Sequence, residues 1–354
     1  MDGATASATP PRLPRLGTMF VGPAFDYLLI GGLLSWVAGA ILLWGGFNFP
    51  DNDPYLWWAI LVSNWAHFAA STVRLYTRPN AVKTWPLLTL AFPLIAIAVV
   101  TGTLAVGEPA GRYLFALYLV WSPYHYARQA YGLSVMYAYR SGCALETADK
   151  RWILWACLVP FVWTLIHPNG GMALALQWSS SGSFPLRTAA LQALTVLSLA
   201  APVALFVRLR AHRGLVLPMI SLAVIVSNAI WWTFFNYFNA FVWATVFHGL
   251  QYLAIVSVFH VRDQARRPSN RRGWFFHTAT FYLTCLILGW VLFFRWPQVY
   301  WLMGFGIVQS GLLVTAIINI HHFVVDAFIW RLKRDPNYQT VVEAAAARAP
   351  AEIA

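Results

Sequence analysis

Ten apolar runs follow one another along this chain, most of them about 20 residues long, the length a helix needs to cross the hydrocarbon of a bilayer. They occupy residues 25–47, 55–73, 85–106, 112–138, 152–167, 188–207, 215–235, 238–260, 274–294 and 299–330, with short polar or basic connectors between them. This pattern predicts an all-α, polytopic integral membrane bundle of about ten transmembrane helices. Residues 1–24 read as an N-terminal tail, 25–331 as the membrane domain and 332–354 as a C-terminal tail. The stretch PNGGMALALQWSSSGSFPLR reads as an outer loop or a short re-entrant piece. A composition of 59% hydrophobic and only 10% charged residues places the chain in the membrane class before any motif is considered.

The net charge of +12 would suit a nucleic-acid binder, but its distribution argues for a membrane surface. With an even number of spans and the N-terminus inside, 20 of the 24 Lys and Arg fall in cytoplasmic segments. Arg112, Arg187 and Arg295 fall outside, and Arg128 lies within a span. Both termini are therefore expected in the cytoplasm, with the bilayer as partner and no nucleic acid. Asp26, at the start of the first run, is expected to cap that helix. Cys143, Cys157 and Cys285 form no CxxC pair, so neither a disulfide framework nor a thiolate metal site is indicated.

The last run is the most informative. Inside QSGLLVTAIINIHHFVVDAFIW it places Asn319, His321, His322 and Asp326, and polar groups at membrane depth persist mainly where they face a protein interior or a wet cavity. His322 and Asp326 are spaced i, i+4 and share a helix face. Three further histidines, His67, His125 and His248, sit on the second, fourth and eighth runs. In the alternating topology these four helices run in one direction, and their histidines lie about 10 to 22 Å inside the basic boundary, so they can meet at one depth. Each has polar companions on its own face: Asn64 and Ser71 for His67, Arg128 and Gln129 for His125, Gln251 for His248. Imidazole with carboxylate and no thiolate is the ligand set of zinc, copper or non-haem iron. Candidate metal ligands are His67, His125, His248, His321 or His322, and Asp326, with Asn64, Gln129 and Gln251 holding the imidazoles in orientation. Arg128 is a candidate clamp for a substrate head group, or else the ion-pair partner of Asp326.

At NWAHF, YHYARQ, FHGLQY and HHFVVD the chain resembles the membrane histidine-motif non-haem iron oxygenases, including bacterial carotenoid-cleaving enzymes of the Brp/Blh type. The resemblance covers four short segments and the overall hydropathy. It implies an iron-dependent oxygenase or oxidase in the bacterial inner membrane, acting on a hydrophobic lipid or isoprenoid substrate from the bilayer. No HxxxH or HxxHH is present, a departure from the desaturase and alkane-hydroxylase pattern that favours one metal ion over two.

Two other classes remain open on the sequence. HHFVVD also fits the HHxxxD arrangement of membrane acyltransferases, with His322 as general base, although Ala327 stands where that pattern has Gly. Facing imidazoles could instead hold a haem, or relay protons with Asp326 in a transporter.

Overall fold

The computed structural model describes residues 15–45, 54–177 and 185–329. The predicted tail 332–354, the turn at Asp51 and Asp53 and the first part of the N-terminal tail lie outside these residues. Among the described residues all regular structure is helical, and a helical unit stands at each of the ten runs. Among the described residues six helices are long and apolar enough to cross a membrane, or seven if a bent first pair counts as one span.

That first pair is α1 (Pro23–Ile30) and α2 (Leu33–Gly45), meeting at 56°. The break falls at Gly32, whose φ of +82° is accessible chiefly to glycine, and whose missing side chain makes room for Ser227. Carbonyls freed by the break find donors on neighbouring helices: Ser227 Oγ donates to Gly31 O at 2.9 Å and Gln251 Nε2 to Ile30 O at 2.5 Å. α3 (Ala66–Tyr76) is entered through a π-helical turn over Ile60–Trp65. α4 (Leu87–Val106) and α5 (Glu108–Arg140) follow, the latter with Pro123 inside it, which leaves the carbonyl of Leu119 without its usual partner two residues before His125. Then come α6 (Thr147–Ile166), opened by a capping box of Glu146 and Asp149, α7 (Pro185–Arg213) and α8 (Met219–Phe234). The last three are α9 (Tyr237–Ala265), α10 (Trp274–Leu302) and α11 (Ile307–Ile329).

The tenth run is shorter than its sequence suggests. Val299 belongs to the end of α10, a turn with Gly304 at φ +96° intervenes, and α11 begins only at Ile307. The apolar composition is continuous across this turn, so hydropathy alone does not reveal it.

Burial separates the helices into two populations. In their apolar windows α11 is 67% and α9 61% buried, against 17% for α7 and for α10. The outward faces of α7 and α10 present Val196, Val203, Phe275, Leu283 and Ile287, a surface suited to lipid tails. The histidine helices α3, α5, α9 and α11 pack together, with α9 against α3 and α11 against both α3 and α5.

Residues 15–22 are tied to the bundle rather than projecting from it. Asp26 is fully buried and accepts from the backbone N–H of Phe20 (2.5 Å), Val21 (3.0 Å) and Gly22 (3.2 Å) and from the Tyr137 hydroxyl (2.8 Å). It therefore anchors the segment before the helix, in place of the simple cap expected from its position. Phe20 lies between the guanidinium groups of Arg140 and Arg262, at 4.3 and 5.3 Å from its ring. Asp26→Ala is expected to lower stability by about 3 kcal/mol, because four donors lose a charged acceptor at once. Thermal unfolding of the purified protein checks this, and an unchanged midpoint would refute the anchoring role.

Candidate metal centre

Four imidazoles and one carboxylate converge where α3, α5, α9 and α11 meet. The His67 ring lies 4.9 Å from that of His322 and 5.2 Å from that of His248, centroid to centroid. His125 is 5.0 Å from His322 and 5.1 Å from His248. The Nε2 atoms of His125 and His322 are 3.2 Å apart, and Asp326 Oδ2 is 3.7 Å from the first and 3.4 Å from the second. Two overlapping triads result, His67/His248/His322 and His125/His322/Asp326, in each of which the donor atoms lie within 4.8 Å of one another.

Local structure explains this convergence. The π-helical turn at 60–65 widens the backbone just before His67, and such turns occur often at functional sites. α9 approaches this turn closely at Gly249, where a Cβ would stand 2.9 Å from both His67 Nδ1 and the carbonyl oxygen of Ser63. Only a residue without a side chain fits. On α11 the four-residue spacing brings His322 and Asp326 to one face, with both buried.

The polar partners are not all those expected. His322 Nδ1 pairs with Ser71 Oγ at 3.0 Å, so Ser71, which shares the His67 face in sequence, reaches across to α11 instead. The Tyr252 hydroxyl donates to Asp326 Oδ1 at 2.7 Å. Tyr252 escaped the sequence reading, although it follows His248 at i+4 in FHGLQY and that spacing is the signal that would have found it. Gln129 and Gln251 do not hold imidazole nitrogens. Gln129 Nε2 donates to Gln251 Oε1 at 2.8 Å and to the His248 carbonyl at 3.3 Å, while Gln251 serves Ile30 at the α1–α2 break, where a freed carbonyl needs a donor. The Asn64 side chain likewise makes no bond to a ring, its Oδ1 being buried without a hydrogen-bond partner, but its backbone carbonyl, with that of Ser63, lies against the His67 imidazole.

Two further corrections concern neighbours of the centre. His321 lies outside it and stacks on Phe92 of α4, with ring centroids 5.1 Å apart and planes 14° from parallel. About 100° of helix rotation separates it from His322, which turns it towards α4 while His322 faces the cluster. Arg128 forms no ion pair with Asp326 among the described residues. Its guanidinium lies over Tyr131 at 5.2 Å and is exposed.

The donor set fits a metal ion. Nε2 of His248 is buried with no hydrogen-bond partner, although a buried polar atom ordinarily has one, and the buried His67 ring, which lies against the backbone carbonyls of Ser63 and Asn64, has one nitrogen left for the cluster. Metal coordination is an arrangement that would satisfy both. Because Nδ1 of His322 is engaged by Ser71, Nε2 is left as its donor, and one nitrogen serves one ion. An ion held by both triads would therefore be one ion, shared through His322.

A cavity of 470 Å³ opens beside the centre, between α5, α9 and α11. Its walls include Trp121, Leu133, Met136, Ile255 and Phe323, with His125, Tyr252 and Asp326 on one side and Arg128 and Tyr124 towards the exterior. Of the clustered ligands, His125 and Asp326 line it, while His67, His248 and His322 lie behind them. A separate 40 Å³ cavity lies on the other side, lined by Ser35, Tyr126, Ser227, Asn228, His248 and Gln251 among others. It has room and polar groups for a water molecule.

Comparisons with family models, with curated proteins and with solved structures find no match.

Proposed function

We propose that this chain is a multi-pass membrane oxidoreductase whose single non-haem metal ion, iron by its ligand chemistry, is held by His67, His125, His248, His322 and Asp326. Its substrate is a hydrophobic lipid or isoprenoid that enters the 470 Å³ cavity from the bilayer. The observation that carries the reading is the convergence of four imidazoles and a carboxylate, with Nε2 of His248 buried and unpartnered, next to an apolar cavity that reaches only part of the ligand set. A histidine and carboxylate donor set without thiolate suits iron with open positions, and bound iron would supply dioxygen activation.

The protein's own groups prepare the site. Tyr252 donates to one oxygen of Asp326 and leaves the other facing His125 and His322. Ser71 fixes the orientation of the His322 ring. The walls of Trp121 and Phe323 keep the His125 side apolar, which suits a hydrocarbon segment. In the membrane the chain is placed with ten crossings, both termini in the cytoplasm of a bacterial cell; the excess of Lys and Arg in alternate connectors supports this arrangement, as the resemblance supports the host.

The geometry favours this reading over acyl transfer. A general base has to reach the proton it abstracts, yet His322 is fully buried, does not line the cavity and spends Nδ1 on Ser71.

Metal analysis by mass spectrometry on gently extracted protein tests the proposal. About one equivalent of iron per chain is expected, with loss in His125→Ala. Less than about a tenth of an equivalent of any transition metal in folded wild-type protein would remove its basis.

A further inference from the structure

We propose that the cavity binds a single-chain amphiphile ending in a carboxylate, with the acid held by Arg128 at the mouth and the apolar chain lying inside against His125 and Phe323. This names the substrate class of the centre inferred above and rests on that reading, but the binding step itself needs no metal.

The guanidinium provides the first argument. Arg128 lies three turns before the end of α5 at Arg140, about 18 Å along the axis at 1.5 Å per residue. It lies inside the apolar run 112–138 and lines the cavity, and a charge within such a run is retained mainly where it faces a partner or a wet cavity. Among the described residues its guanidinium lies over the Tyr131 ring, and no carboxylate pairs with it. The planar fork of arginine matches a carboxylate through two parallel hydrogen bonds.

The cavity provides the second. Its 470 Å³ falls within the range of small-molecule sites, and the wall between Arg128 and the metal ligands is mostly apolar. Gly132, one turn beyond Arg128 on the same face of α5, lines this wall, and a Cβ placed there would meet nothing within 4 Å. The wall is recessed where a chain would pass. Tyr124, Arg128 and Ala327, all exposed, form a rim open to the outside of the bundle, so the occupant enters sideways.

Hydrogen-bonding capacity orients the occupant. At the inner end the Tyr252 hydroxyl already donates to Asp326, whereas the Arg128 guanidinium offers several free donors at the mouth. The acid therefore stays at Arg128 and the hydrocarbon is presented to His125, which stands one turn earlier on the same helix face.

The test uses the fluorescent polyene fatty acid cis-parinaric acid and its methyl ester, titrated into the detergent-purified full chain before and after metal removal with a chelator. Wild type is expected to bind the acid about tenfold more tightly than the ester, with or without metal. Arg128→Gln should abolish that preference while retaining ester binding, Arg128→Lys should keep part of it, and Gly132→Phe should weaken both probes by filling the recess. Equal affinity of wild type for acid and ester overturns the proposal, as does an undiminished preference in Arg128→Gln. Displacement of the acid by phosphatidylglycerol at equal concentration would also overturn it, assigning the cavity to membrane lipid. Because the probe reads occupancy in metal-free protein, a chain without iron but with the acid preference refutes the metal centre alone, and a chain with iron but no preference refutes the carboxylate assignment alone.

Discussion

His322→Ala is expected to empty the centre, from about one equivalent of metal per chain to below about a tenth, while His321→Ala retains nearly all of it. The two residues are adjacent and chemically identical, so the contrast isolates geometry. His322 belongs to both ligand triads, faces His125 at 3.2 Å between Nε2 atoms and is oriented by Ser71. Removing it takes a donor from each triad, leaving two donors in either. His321 loses only its stacking on Phe92. Metal content per folded chain, measured on the monodisperse chromatographic peak of each variant, gives the comparison. Equal retention or equal loss in the two variants would exclude the proposed ligand set.

Gly249→Val is the second large effect, and it acts without replacing a ligand. The added Cβ would stand 2.9 Å from His67 Nδ1 and 2.9 Å from the Ser63 carbonyl oxygen. The imidazole could swing aside, but the carbonyl belongs to the π-helical turn and can yield only if α9 and that turn separate. Overpacking of this kind costs about 1–3 kcal/mol, and any relief by ring rotation moves His67 away from His248 and His322. A lower thermal midpoint together with lost metal is therefore expected. Gly102→Ala is the control, because a Cβ there meets nothing within 4 Å and alanine suits a helix interior better than glycine. If Gly249→Val unfolds at the wild-type temperature with its metal intact, the close approach of α9 has no role in forming the site.

Much of this architecture is readable from residue order. Long apolar runs dictate helices, and the four-residue spacing of His322 and Asp326 dictates a shared face, because both follow from the period of a single helix. What the sequence left undecided depends on how helices are rotated against one another. His321 and His322 differ only in phase, and phase is set by the side chains of α3, α4 and α5 that α11 meets. Intrahelical spacing pairs Ser71 with His67, whereas its partner comes from another helix, which no spacing within α3 encodes. Gln251 was given to an imidazole because the break at Gly32, which exposes the Ile30 carbonyl, leaves only a Gly-Gly pair as its trace in the sequence. The division between α10 and α11 was hidden for a related reason: hydropathy averages across a short turn.

The contact between Ser71 and His322 joins positions 251 residues apart. A chain that enters the membrane helix by helix holds His67, and later His125 and His248, in position before the last helix has been made. Those imidazoles wait without their shared partner, and the buried Nε2 of His248 has no substitute among the described residues. Closure of the centre thus coincides with the arrival of α11. An acquired ion would act as a seal on completed biogenesis, and the same side chains that serve chemistry would distinguish a finished bundle from one still waiting for its final segment.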